Sequence, residues 1–420
     1  MTTTRFDPAR VAVAQLGARM HYAVPRLLHA AGRLERLFTD SYAGDKPRLA
    51  RALAALPRPL RPRALARWLG RNEPALPGGK VTSFELLGLA CAARKAGARN
   101  DAARFRLWAE EAARFNAAVL AHGLGAAGTV WGYSSAALEL FAAAAAEGRR
   151  CVLEQVILPS RLQARLLAAE AARWPGWQEV ESTIAGLLRH AEREAEEWRL
   201  ATRVVAGSAF VVEGLASLGV DPGKCRIVPY GVDSGRFRRR PVPRPRRPGE
   251  PLRVLFAGEV GLRKGAPYLL EALRRLGPGR VQGRFAGTVA LKPERLAPYH
   301  EVAAFLGPVP RPGMIALYDW ADVFVLPSLF EGSATVTYEA LACGVPVVCT
   351  PATGSIVRAG VDGAIVPAGS LEALAAVLAA LADGDLAFPA PGRDHPLGDL
   401  DAYGRGLLAV LDELVPGAAP

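Results

Sequence analysis

Glu331 and Glu339, with seven residues between them, stand in the stretch LFEGSATVTYEALACGVPVV, which is otherwise mostly small and apolar. Carboxylates in a segment bound for the interior are costly unless they are paired or bind something. The preceding DVFVLPS reads as a buried strand, LFEGSA as the loop at its carboxyl end, and TVTYEALACG as a helix closed by Gly344 and Pro346. Glu331 then lies in a loop and Glu339 about one turn into a helix. Gly332, Ser333, Ala334 and Thr335 would offer backbone N–H groups at the helix N-terminus, where a phosphate is well accommodated. Beside it, Glu339 can accept from both hydroxyls of a ribose, and Glu331 from the hydroxyls of a sugar. Taken alone, the pair has a lesser alternative, a capping carboxylate plus an ordinary helix glutamate.

The elements that must position these residues alternate between strand and helix along all 420 residues. The first half reads RVAVAQL, a helix-like YAVPRLLHAAG, LERLFTD, GTVWGY, the helix SAALELFAAAAAEG, CVLEQVIL, a long charged helix through HAEREAEEWRLA, and RVVAGS. The second half reads RVLFAGE, DVFVLPS, PVVCT and GAIVPAG as strands. Such alternation implies parallel sheets covered on both faces, with ligands outside the carboxyl ends of the strands. Between the halves, Arg236 to Pro251 (RFRRRPVPRPRRPGEP) alternates arginine and proline and reads as an extended interdomain linker. Charge divides at the same place: residues 1–250 carry 39 Lys and Arg against 23 Asp and Glu, and residues 251–420 carry 13 against 17.

Several classes are disfavoured. The basic linker lacks the aromatic or groove-reading neighbours of a nucleic-acid arm, so no nucleic-acid partner is expected. No signal-peptide pattern and no spanning apolar run is seen, and the expected location is the cytoplasm. Cys91, Cys151, Cys225, Cys343 and Cys349 form no C-x-x-C pair and read as reduced core residues.

The motifs together resemble the retaining glycosyltransferases of family 4. DVFVLPSLFEGSATVTYEALACGVPVV is similar to that family's E-x7-E segment, RIVPYGVDSGRF to the run leading out of its first domain, VLFAGEVGLRKGAPYLLEAL to its donor-phosphate loop, and GAIVPAGSLEALAAVLAAL to its closing segment. The resemblance implies the α/β GT-B fold, two facing Rossmann-like domains with a deep cleft. Residues 1–236 would bind the acceptor, 237–251 link, 252–400 bind the nucleotide sugar, and 401–420 form a C-terminal helix that could pack back on the first domain. The implied reaction is retaining transfer of a glycosyl group from a nucleotide-sugar donor to a small-molecule, glycan or lipid-linked acceptor, in glycoconjugate or envelope polysaccharide synthesis.

The parts follow. Arg263 and Lys264, just after RVLFAGE, can neutralise a diphosphate and its growing charge, which would substitute for a metal; no metal and no cofactor are expected. Gly258 closes that strand and would contact the donor. Two departures bear on the site. Glu259 stands where many family members have arginine, and Glu154 where they usually have histidine. Glu154 could orient an acceptor hydroxyl, stabilise an oxocarbenium ion, or be a salt-bridged loop carboxylate. Gly17, Arg19 and His21, in QLGARMHYAVPR after the first strand, would face the acceptor side or serve as ordinary helix entry. Other readings are a phosphorylase or hydrolase of the same fold, and a catalytically silent sugar-nucleotide-binding protein.

Lys46 to Arg71 contains eight basic residues and no acidic one, and prolines 57, 59 and 62 divide it into two short amphipathic helices. Leu49, Leu53, Leu65, Trp68 and Leu69 are available on their apolar faces. This is either a surface for an anionic membrane at the inner face or a solvated arginine-rich surface.

Overall fold

A computed structural model describes residues 6–57, 61–98, 100–233, 235, 237, 246–247, 249–388 and 398–415. Most of the expected linker lies outside these residues. Seven parallel strands form the first sheet: β1 (Asp7–Gln15), β2 (Leu34–Thr39), β3 (Val81–Ser83), β4 (Ala127–Tyr133), β5 (Arg150–Gln155), β6 (Arg203–Ala206) and β7 (Cys225–Ile227), in the order β3-β2-β1-β4-β5-β6-β7. The second has six: β8 (Leu252–Ala257), β9 (Val281–Ala286), β10 (Ala303–Gly307), β11 (Val323–Leu326), β12 (Val347–Cys349) and β13 (Gly363–Ile365), in the order β10-β9-β8-β11-β12-β13. Each sheet reverses direction of winding beside its first strand, so each has a switch-point crevice at its carboxyl edge.

Side-chain alternation assigns the faces. Val11 and Val13 of β1, Trp131 of β4 and Val152 of β5 enter one apolar cluster, while Ala12 and Ala14, Val130, and Cys151 and Leu153 enter the other. The first cluster is closed by the helices Ala23–Ala30 and Leu400–Asp412, the latter burying Tyr403, Leu407, Val410 and Leu411 against the N-terminal sheet. Arg33 with Asp412, and Arg203 and Arg226 with Glu413, fasten that helix at its rim. The second cluster is covered by Asp101–His122, Leu138–Ala146, Glu181–Leu200 and Ala209–Ser217. None of the five cysteines is in a disulfide, and all are buried.

The core of the second sheet runs on into the first half of the chain. Leu158, Ala164, Leu167, Trp177 and Val180 belong to it, and Trp174 meets Trp177 edge-on at 5.0 Å and Tyr268 edge-on at 5.3 Å. Gly332 abuts the backbone of Val156 so closely that a Cβ would lie 2.0 Å from its carbonyl oxygen, and Ser208 Oγ donates to the Gly332 carbonyl at 2.6 Å. The loop bearing Glu331 is therefore packed directly on the end of β5.

His122 is a structural residue, edge-on to Phe38 with its ring nitrogens near Thr82 Oγ1 and the Gly123 carbonyl. Asp383-Gly384-Asp385 ends the helix Leu371–Asp383, with Gly384 left-handed at φ 85°.

Candidate functional site

The loop after β8 and the loop after β11 meet at one carboxylate oxygen. Glu331 Oε1 accepts from Arg263 Nη1 at 2.6 Å and from Lys264 Nζ at 2.5 Å. Gly258, with φ 124°, makes room for this: a Cβ there would sit 2.6 Å from the Lys264 side chain, whose stem crosses over the glycine. Burial alone would raise the Glu331 carboxyl, but Lys264 and Arg263 overcome it and hold the group below the usual carboxylate range. Burial lowers Lys264 despite the opposing pull of Glu331. Glu331 thus aligns two cations side by side through Oε1.

Glu339 lies in the helix Thr335–Ala342, buried, with Tyr318 Oη donating to Oε2 at 2.9 Å and Arg311 Nη2 at 3.5 Å from Oε1. Burial pushes its carboxyl up, and Tyr318 and Arg311 oppose this. Neither partner was visible from the motif. Together with Thr335 it lines a hollow of about 320 Å³, whose opposite wall is Met20, His21 and Arg26 from the loop and helix after β1. The backbone there is strained: Met20, His21 and Tyr22 take φ of 45°, 50° and 59°, three consecutive left-handed residues, none of them glycine. Such conformations cost about 1 to 3 kcal/mol each and persist where the surroundings over-determine them. Here Gln15 Nε2 donates to the Gly17 and Arg19 carbonyls, and Asp40 Oδ1 accepts the Gly17 N–H at 2.8 Å.

The helix N-terminus is less open than the sequence suggested. The Ala334 N–H is spent on the Thr353 carbonyl at 3.0 Å, and Ser333 Oγ is engaged with Tyr338 Oη and the Gly354 carbonyl. Ala334 therefore does not offer its amide to a phosphate, since the turn at Thr353 folds back over it.

Of the readings of Glu154, the structure shows the ion-paired one, with the residue on β5 and not in a loop. As an even partner of Val152 on β5 it points into the face covered by the C-terminal helix, and it is 1% exposed. Its oxygens meet Tyr230 Oη at 3.1 Å, Arg19 Nε at 3.5 Å and Tyr403 Oη at 3.5 Å. Burial raises its carboxyl, opposed by Arg19 and Tyr230. It is a buried anchor for Arg19, which also donates to Tyr230 Oη at 2.5 Å, and not a carboxylate in the crevice. The structure brings Arg19 and Glu154 together, His21 and Glu339 to one hollow, and Arg263, Lys264 and Glu331 to one point. Gly17 is held back at Asp40.

Glu194 and Glu197, read only as charge on a long helix, are both buried. Glu197 accepts the Ser135 and Ala137 N–H groups at 2.6 and 2.8 Å, and Glu194 accepts the Ser160 N–H and Oγ at 2.7 and 2.9 Å. They secure the turns after β4 and β5.

Comparison with known proteins now adds to this geometry. Residues 251–383, which carry Arg263, Lys264, Glu331 and Glu339, match the family model "Glycosyl transferases group 1". That match spans all six strands of the second sheet. A putative colanic acid biosynthesis glycosyltransferase, WcaL, of Salmonella typhimurium is 34% identical over 181 residues, 39% of this chain and 44% of that protein. The aligned part is thus less than half of that relative's length. Among solved structures, sucrose-phosphate synthase from Thermosynechococcus elongatus superposes with a TM-score of 0.65 at 17% identity, covering 96% of this chain and 98% of the other. Anabaena HepE, solved with UDP and glucose, superposes with a TM-score of 0.56 at 15% identity, covering 96% and 100%. The glycosyl transferase domain and the first sheet together form the GT-B fold.

Proposed function

We propose that the chain is a family-4-like glycosyltransferase that moves a glycosyl group, with retention and without a metal, from a nucleoside-diphosphate sugar to an acceptor hydroxyl in glycoconjugate or envelope synthesis. The observation that carries this reading is the convergence of Arg263 and Lys264 on Glu331 within the segment that matches the group 1 glycosyl transferase model, with Glu339, on the helix that follows, lining a hollow with Met20 and His21. Two fixed cations stabilise a diphosphate, and they do so most strongly as the bond from the sugar's anomeric carbon to the phosphate oxygen breaks. The acceptor oxygen forms the new bond to that carbon, and its proton passes to the departing phosphate oxygen on the same face. Glu339, with Tyr318 fixing one oxygen, takes the ribose hydroxyls. HepE was solved with UDP and glucose, which supports a uridine nucleotide as the first donor to try. The test is product formation from a panel of nucleotide sugars in excess EDTA; loss of activity that magnesium or manganese restores would overturn the metal-free mechanism.

The acceptor side works, in this proposal, at an anionic lipid surface. Among the described residues no helix is long and apolar enough to cross a membrane. The helix Glu85–Ala96 instead presents Leu86, 84% exposed, and Leu89, 66% exposed, with Ala90 and Ala93 on the same face. Leu49 and Leu56 are exposed on the neighbouring Lys46–Arg71 stretch, among Arg48, Arg51 and Arg67. Apolar side chains ringed by arginine match an anionic interface. Trp68 is not part of that contact: its Nε1 donates to Glu85 at 3.3 Å, and the ring is half-buried between the two helices.

A further inference from the structure

The turns after β4 and β5 and the helices Asp101–His122 and Glu181–Leu200 border a second, open hollow, of about 340 Å³, in the N-terminal half. Its surface is made mostly by Phe105, Trp108, Val156, Ile157 and Leu187. The polar groups in its wall already bond to one another. Ser134 Oγ accepts the Val156 N–H, Ser135 Oγ donates to the Ser134 carbonyl, and Gln163 Nε2 donates to the Leu158 carbonyl at 2.6 Å. Ser160 spends both its donors on Glu194, and the His190 ring meets the Phe105 carbonyl at 3.0 Å. Burial lowers His190, which keeps the ring neutral. Arg104 also lines the hollow and pairs with Asp101 at 3.0 Å; the rest of the surface is mostly hydrocarbon, where a polar group would lose its hydration without recompense. The volume corresponds to about eleven waters of bulk liquid, space for a chain of several carbons.

Two further facts orient the hollow. Val156, in its wall, is the residue whose carbonyl packs on Gly332, immediately after Glu331. Trp108, on another side, carries Lys95 over its ring at 4.9 Å, and Lys95 belongs to the helix that exposes Leu86 and Leu89. The hollow therefore lies between the transfer site and the proposed lipid-facing helix. Ser135, at its rim, takes φ 63° and is held there by Glu197, a strained turn maintained at the carboxyl end of β4.

We propose that this hollow is a binding site for an uncharged alkyl portion of the acceptor, which seats the acceptor while its hydroxyl faces the donor. This rests on the transfer reading above for the word acceptor; the alkyl site itself is tested without turnover. The probe is 1-octanol, titrated calorimetrically into the full chain, with 1,8-octanediol as the comparison because it must bury a second hydroxyl. Octanol should bind saturably at one site, and the diol at least tenfold more weakly. Leu187→Phe, which fills the hollow, and Trp108→Glu, which places a charge at a half-exposed position in its wall, should each weaken octanol at least tenfold at unchanged Tm. UDP-glucose affinity should not move in either variant. Absence of saturable octanol binding, equal binding of octanol and diol, or parental octanol affinity in a folded Trp108→Glu protein would overturn the site. If octanol binds as described while no nucleotide sugar binds the parent, the alkyl site stands and the transfer reading falls.

Discussion

Lys264 Nζ lies 2.5 Å from Glu331 Oε1, and both side chains are nearly enclosed. Removing one partner of such a pair leaves a buried charge uncompensated, which typically costs about 3 to 5 kcal/mol. Glu331→Gln should therefore lower stability by about that amount at pH 7, and Lys264→Met combined with it should recover part of the loss. The folded-state pKa of Glu331 is depressed, so the contribution of its charge is present above the ordinary carboxylate range and is lost as pH falls through the depressed value. Urea unfolding of the single and double variants between pH 3 and 7 measures this. Additive losses in the double variant would show that the pair is not coupled.

Gln178, from the first half of the chain, accepts the Leu262 N–H at 2.9 Å, one residue before Arg263. The phosphate loop is thereby fixed from across the domain boundary. Gln178→Ala should lower kcat by about tenfold, the equivalent of a hydrogen bond worth about 1.4 kcal/mol, with little change in nucleotide affinity. An unchanged kcat in the folded variant would mean that the loop keeps its position unaided.

Burial pushes Glu194 up to about 7 and Glu197 up to about 8. A carboxylate with a raised folded-state pKa binds more protons folded than unfolded between its two values, so stability should fall as pH rises from about 5 to 8. Glu197→Gln removes the titrating group but keeps an acceptor for only one of the Ser135 and Ala137 amides, so it should flatten part of that slope while lowering stability overall. Thermal unfolding of parent and variant at matched ionic strength gives the comparison; identical slopes would assign the pH dependence to other groups.

The alternation of strands and helices, and with it both parallel sheets, is legible because β1, β8 and β11 are apolar runs bounded by glycine or polar turns. The strands β3, β7, β9 and β10 are not legible: β3, β7 and β9 are interrupted by polar residues, whereas β12 and β13, equally short as β3 and β7, read as apolar runs. Arg263, Lys264, Glu331 and Glu339 are legible as a set because each lies in a local motif. The fate of Glu154 is not, since the Tyr403 that covers it arrives 249 residues later, and strand parity alone does not say which face a distant helix will close. Glu194 and Glu197 were likewise hidden: on a helix with many charges, only tertiary contact distinguishes a capping carboxylate from a solvated one.

Leu86 and Leu89 test the lipid surface. Replacing both by serine should remove most co-sedimentation with vesicles containing anionic lipid, and Arg48, Arg51 and Arg67 changed to glutamine should do so more strongly at low salt than at high, because each cation near such a surface contributes about 1 kcal/mol and is screened. Nucleotide-sugar affinity should be untouched in both. Parental vesicle binding in both variants would leave this face merely solvated.

Calorimetric titration of UDP-, GDP-, ADP- and TDP-sugars into the parent chain and into Glu339→Ala is the most direct test of the donor site. One of these sugars should bind saturably to the parent, and the variant, with its Tm retained, should bind it about thirtyfold or more weakly, since a buried carboxylate holding two hydroxyls is worth about 2 to 4 kcal/mol. A folded Glu339→Ala chain that binds the same nucleotide sugar as tightly as the parent would contradict the account.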